Sequence, residues 1–96
     1  MTSIAQQGRP RNVAIGIDTH QYLHVAVALD ELGGRVAELT VSADSGAYAL
    51  LEQWATGLGR IIAFGIEGTG SYGAGVASHV HRRGHRVIEV NRPRPP

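Results

Sequence analysis

Cysteine is absent from the 96 residues, and so is lysine. Without a thiol there is no disulfide scaffold, no thiolate zinc site and no cysteine nucleophile. Charge is scarce as well: 18% of residues are charged and the formal net charge is +1. The apolar content of 43% is too high for a chain kept unfolded by its charge, and the length allows one small domain at most. No long hydrophobic run occurs. The longest stretch of apolar residues and glycine, Ile61 to Ile66, is far too short to span a bilayer. Residues 1–12 are polar, with Arg9 and Arg11 and no apolar centre, so they do not read as a secretory signal. A soluble, intracellular protein is the expectation.

What charge there is lies unevenly. Residues 30–67 hold six acids and two arginines, a net −4, whereas residues 68–96 hold five arginines and Glu89, a net +4. All nine basic residues are arginine. An arginine-rich end suits phosphate contacts, although a net charge of +1 is itself weak evidence for nucleic acid.

The chain divides into a lead-in (1–12), a body (13–91) and a Pro/Arg-rich tail (92–96), with no internal repeat. Gln6, Gln7, Gly8 and Pro10 give the lead-in no periodicity. In the tail, Pro93, Pro95 and Pro96 stop any helix or central strand. Within the body, Val13 to Asp18 alternates Val13, Ile15 and Ile17 against Ala14, Gly16 and Asp18, the period of a strand. Tyr22 to Leu29 alternates Leu23, Val25, Val27 and Leu29 against small or polar residues. Asp30 to Gly34 ends in Gly-Gly, a hairpin signal, and Arg35 to Val41 is a third strand. A helix follows, with Asp44 as N-cap, Gly59 as C-cap and an apolar face of Ala47, Leu50, Leu51, Trp54, Ala55 and Leu58. Trp54 on that face reads as core. The run Ile61 to Ile66 suits a strand buried on both sides. A second helix is expected over 71–83, with Tyr72, Val76, Ala77 and Val80 on one side and Gly84 at its end. Arg86 to Val90 is a fifth strand.

The order β-β-β-α-β-α-β, with right-handed crossovers, makes the first, fourth and fifth strands parallel neighbours and leaves the hairpin at the edge. This is an α/β, ribonuclease-H-like connectivity with a mixed sheet, incomplete at its C-terminal side. Ligands in such sheets bind beyond the carboxyl ends of the parallel strands. Asp18 and Glu67 stand there, one after Gly16-Ile17 and the other after Gly65-Ile66. On strands about 4.8 Å apart their carboxylates can converge. Two carboxylates at ~4 Å repel by about 4 kcal/mol at an effective dielectric of ~20, a cost that a cation between them removes. Mg²⁺ takes carboxylate, water and phosphate oxygens. A two-metal phosphodiester site needs several such acids, and two alone bind metal weakly. The bland alternative is a pair of solvated acids at the sheet edge.

Gly68-Thr69-Gly70-Ser71-Tyr72-Gly73 follows Glu67 directly. Small residues at a helix start leave N–H groups open to a phosphate, yet a tight strand-to-helix turn also needs glycine and is the favoured reading. His20 lies near enough to Asp18 to touch a phosphate and otherwise reads as a loop histidine. His81 and His85 have i, i+4 spacing, but Gly84 breaks the helix between them, so a histidine metal site is not expected. His79, His81, Arg82 and Arg83 read as a solvated basic helix end, suited to the dipole.

Three stretches, Val13-Ala14-Ile15-Gly16-Ile17-Asp18-Thr19-His20, Phe64-Gly65-Ile66-Glu67-Gly68-Thr69-Gly70-Ser71-Tyr72-Gly73 and Val87-Ile88-Glu89-Val90-Asn91-Arg92-Pro93, resemble the N-terminal domain of the DEDD transposases of the insertion sequence 110 family. The match runs from about Asn12 to Pro93. The resemblance implies a RuvC-like domain in which four acids bind Mg²⁺ and act on DNA strands, the first two falling on Asp18 and Glu67. It implies DNA and a structured guide RNA as partners, with weak nucleic-acid contacts from His20, Gly68, Thr69, Gly70, Ser71 and Arg92, and it leaves room for a homo-oligomer. It also implies a bacterial cytoplasmic, nucleoid-associated setting with no membrane. The family's other two acids, in an Asp-x-x-Asp motif after the Asn-Pro segment, are absent from these 96 residues. So is its C-terminal domain. The chain is therefore expected not to cut or rejoin DNA by itself, and its sheet to keep an uncovered apolar patch. Many members carry Lys near the position of His20, which weakens the case for a basic contact there.

Two other readings compete. One is a non-catalytic remnant that binds nucleic acid or a partner through its basic third. The other is a sugar-kinase or actin-like ATPase lobe. Its phosphate turn would fall on Thr19-His20-Gln21, which has no glycine.

Overall fold

The computed structural model describes residues 11–91. Residues 1–10 and the tail 92–96, with Arg92, lie outside the described residues. The order is β1 (Asn12–Thr19), β2 (Leu23–Leu29), β3 (Arg35–Ser42), α1 (Ser45–Leu58), β4 (Arg60–Glu67), α2 (Ala74–Arg82) and β5 (Val87–Val90). The five strands form one mixed sheet in the order β3-β2-β1-β4-β5. β1 pairs antiparallel with β2 and parallel with β4, and β5 joins β4 in parallel. This is the arrangement expected from the connectivity, and it is compatible with a ribonuclease-H-like fold. Among the described residues no helix is long and apolar enough to cross a membrane.

Local chemistry explains the boundaries. Asp44 takes the Ala47 N–H on its side chain at 2.9 Å and so starts α1. In the β2–β3 hairpin the Asp30 carboxylate accepts from the N–H groups of Leu32 and Gly34, at 3.0 and 2.8 Å. Arg11 and Asn12, read from sequence as the end of the lead-in, are tied to the sheet. Asn12 opens β1, and the Arg11 carbonyl accepts from the Arg60 N–H at 2.7 Å.

Both helices pack on one face of the sheet. There Val13, Ile15, Ile17, Ala26, Ala28, Phe64 and Ile66 meet Tyr48, Leu51, Ala55, Val76 and Val80 in a single core. The other face has no helix among the described residues, which corrects three expectations. β4 is not buried on both sides, and Ile62 is half exposed. In β2 the buried set is His24, Ala26 and Ala28, while Val25 and Val27 look to the open face and Leu23 is exposed. Ala26 and Ala28 share the face of Ile17 and Ile15, their partners in β1, so the valines fall on the open side. In α1 the buried face is Tyr48, Leu51, Glu52 and Ala55, rotated from the expected stripe, and Leu50 is 62% exposed. Glu52 is tolerated there because its carboxylate has side-chain partners, one of them an arginine.

Those partners come from the end of α2. The Glu52 carboxylate accepts from Arg83 Nε at 2.9 Å and sits 2.6 Å from His85 Nε2. His85 in turn packs edge-on against Phe64, 5.1 Å between ring centroids. Burial raises the Glu52 pKa, but the hydrogen bonds and charges of His85 and Arg83 outweigh it, and the net shift is downward. Arg83 stands exposed, as expected of the basic end at 79–83, and reaches back from there to Glu52, whereas His79 is half-buried. Tyr72, expected on the second helix's apolar side, precedes that helix and is 55% exposed.

Candidate functional site

Asp18 and Glu67 are placed by the pleat. In the β1–β4 ladder Gly16 lies beside Gly65 and Ile17 beside Ile66. The isoleucines point into the core, so the residues on either side of them point to the open face. Asp18 and Glu67 follow the last of these pairs at the carboxyl ends of two adjacent parallel strands. Both line one concavity of about 370 Å³, together with Gly16, Gly65, Val25, Val27 and Val90. A Cβ at Gly16 would meet no atom within 4 Å. Arg35 and Glu38 close the far side, paired with each other at 2.9 Å.

The segment after Asp18 is held by several bonds. Thr19 Oγ1 donates to the Glu67 carbonyl at 2.9 Å. His20 Nε2 lies 3.3 Å from Asp18 Oδ2, with both side chains well exposed. A pair so placed contributes little to stability. The His20 N–H donates to the Leu23 carbonyl at 3.0 Å and lies 3.3 Å from His24 Nδ1. His24 is fully buried and stacks on Tyr48, 5.9 Å between ring centroids and 9° from parallel. Burial is the main cause of its lowered pKa, so the ring stays neutral at physiological pH. With Nδ1 accepting, the ring proton is assigned to Nε2, which is buried and finds no protein partner.

The glycine segment is built as a turn. Gly68 has φ +62°, a left-handed conformation that suits glycine. Its carbonyl accepts from the N–H groups of Ser71 and Gly73, both at 2.8 Å, and from Ser71 Oγ at 3.3 Å. A Cβ at Gly73 would fall 2.2 Å from the Glu67 carbonyl oxygen, so the helix can start this close to the strand end only with glycine there. α2 begins at Ala74, three residues later than expected, because this turn uses Ser71 to Gly73. Gly68, Thr69, Gly70 and Ser71 do not border the concavity of the two acids. Thr69 lines a different hollow, with Ala74, Ala77, Ser78, His81, Val87 and Glu89. The site residues brought together are thus Asp18, Glu67 and His20.

A divalent cation fits the donor chemistry of the pair in part. Two carboxylates on one open wall are hard oxygen donors of the kind Mg²⁺ takes, with the remaining positions filled by water or phosphate. No group of three or more His, Asp or Glu residues able to hold a metal occurs among the described residues. Thr19 and His24, which bond the segment next to Asp18, were not singled out by the sequence reading. A threonine after a strand-end acid gives no signal of its own, and His24 differs from a loop histidine only once its burial is known.

A family model for DEDD transposases of the insertion sequence 110 type, described as transposase, matches residues 15–94. No curated protein matches the chain.

Proposed function

Because the chain belongs to the DEDD transposase family, for which a divalent metal site and a DNA partner are implied, we propose that Asp18 and Glu67 are two of the four carboxylates of a Mg²⁺ site that acts on DNA strands. The observation that carries this reading is the shared concavity at the ends of β1 and β4, which both acids line beside Gly16 and Gly65. In that role the carboxylates hold the cation, and the open space above Gly16 leaves room for a phosphodiester beside it, while Val90 covers Gly65. The bound cation supplies charge to offset that developing on the phosphate. The guide RNA and a homo-oligomer belong to this proposal by family resemblance alone.

With two of the four acids, the 96 residues bind a divalent cation weakly and do not cleave DNA. Mn²⁺ titrated into the labelled chain is expected to broaden the amide signals of Asp18, Glu67 and their neighbours, and Asp18→Asn to remove that broadening. Signals that stay sharp in the unsubstituted chain would overturn the metal reading. Mg²⁺-dependent nicking of plasmid DNA by the pure chain, abolished by Asp18→Asn, would overturn the claim of inactivity. The charge skew favours a second reading, a non-catalytic nucleic-acid binder. Its mark is DNA binding that falls steeply between low and moderate salt and is indifferent to Asp18→Asn.

A further inference from the structure

We propose that Thr19 is a positioning residue of this site: its hydroxyl joins the ends of β1 and β4 and so sets the spacing of the Asp18 and Glu67 carboxylates. The inference rests on the metal reading above. The paired register of β1 and β4 runs to Ile17 and Ile66. Both acids lie one residue beyond it; each is laddered on its outer side, Asp18 with Val25 and Glu67 with Val90, and the seam between β1 and β4 at this level lies outside the paired register. The Thr19 hydroxyl donates to the Glu67 carbonyl at 2.9 Å across that gap. One end of the bond adjoins Asp18 in the chain, and the other is the backbone of Glu67 itself.

The acceptor has little freedom. The backbone of Gly73 packs so closely on the Glu67 carbonyl that a Cβ there would approach to 2.2 Å, and a Cβ at Gly68 would come to 3.3 Å from Thr19 Oγ1. The carbonyl is held between the turn on one side and Thr19 on the other. The alternation of β1 puts the Thr19 side chain opposite Asp18, toward the helices and level with His24. It works from behind the sheet and touches no ligand in the concavity. Partners of this outer kind typically alter metal affinity by about 10- to 100-fold when removed.

The test compares Thr19→Val, which keeps the β-branched shape and loses the hydroxyl, with Thr19→Ser, which keeps the hydroxyl. Both are titrated with Mn²⁺ alone at a temperature where circular dichroism and amide spectra show the fold intact, and Thr19→Ala replaces the valine variant if that one fails to fold. The expected result is affinity about tenfold weaker in Thr19→Val and within about twofold of the unsubstituted chain in Thr19→Ser. A merely structural role would lower the melting temperature of the valine variant and leave its Mn²⁺ affinity alone. That outcome overturns the inference and leaves the metal reading standing. If the unsubstituted chain binds no Mn²⁺, the metal reading falls and this inference falls with it.

Discussion

The two faces of the sheet are made from the same strands and do different work with the same kind of residue. On the helix-covered face an acid, Glu52, is buried and bonded to Arg83 and His85. On the open face two acids, Asp18 and Glu67, sit at the rim of a hollow with a glycine floor. A carboxylate taken out of water needs built-in partners. One left at an open strand end can take a partner from outside the chain. The covered face thus carries the stability of the domain and the open face carries its candidate chemistry, so the two can be altered separately.

The sharpest way to break this comparison is to damage the covered face. Phe64 has no exposed surface and touches both the core and His85. Phe64→Ala is expected to cost about 3–5 kcal/mol, a large share of the roughly 5–15 kcal/mol that stabilises a small domain. Urea unfolding should show the loss, and a midpoint that barely moves would mean that the covered face is not the source of stability.

A smaller effect comes from acid. Glu52 titrates below its ordinary 4.5 and His24 below its ordinary 6.5. For each, the folded pKa is the lower one, so the unfolded chain binds protons more readily. The stabilisation is complete above the unfolded value and is lost as pH falls through the folded one. Melting temperature should therefore decline first below about pH 6.5, from His24, and again below about pH 4.5, from Glu52. Glu52→Gln is expected to cost about 1.5–3 kcal/mol at neutral pH and to flatten the lower limb. An unchanged acid limb in that variant would show that the Glu52 cluster is not responsible.

The smallest change sharpens the contrast from the open side. Gly16 has an ordinary φ and free space above its Cα. Gly16→Ala is expected to leave stability unchanged or to raise it by up to about 1 kcal/mol by restricting the unfolded chain. It also begins to fill the floor of the hollow, so Mn²⁺ affinity should fall while thermal stability does not. A drop in both would show that the open face is part of the core.

The strand order and the two acids were legible in the sequence, the division of the sheet into two faces was not, and the misses have a common cause. Asp18 and Glu67 stood out because each ends a short apolar strand, and the strand order follows from the handedness of two crossovers. The Asp44 cap was visible because donor and acceptor are three residues apart. The burial of Glu52 was not, because its partners lie 31 and 33 residues further along the chain. The inverted pleat of β2 was hidden for a similar reason. Hydropathy favours Val25 and Val27 as the inward set, but the register with β1 places Ala26 beside Ile17 and Ala28 beside Ile15 on the core face, and that register belongs to the folded sheet. The Thr19 bond to Glu67, 48 residues away, left no local mark.

The pairing of β1 with β4 also has a kinetic side. β1, β2 and β3 are joined in sequence by short turns and can zip together locally. β4 must travel past the β2–β3 hairpin and a helix before it finds β1, and such non-local contacts form slowly. Asp18 and Glu67 come from opposite ends of that journey. The hollow is consequently among the last features to appear during refolding, and a chain that stalls after its first three strands would have much of its secondary structure and no site at all.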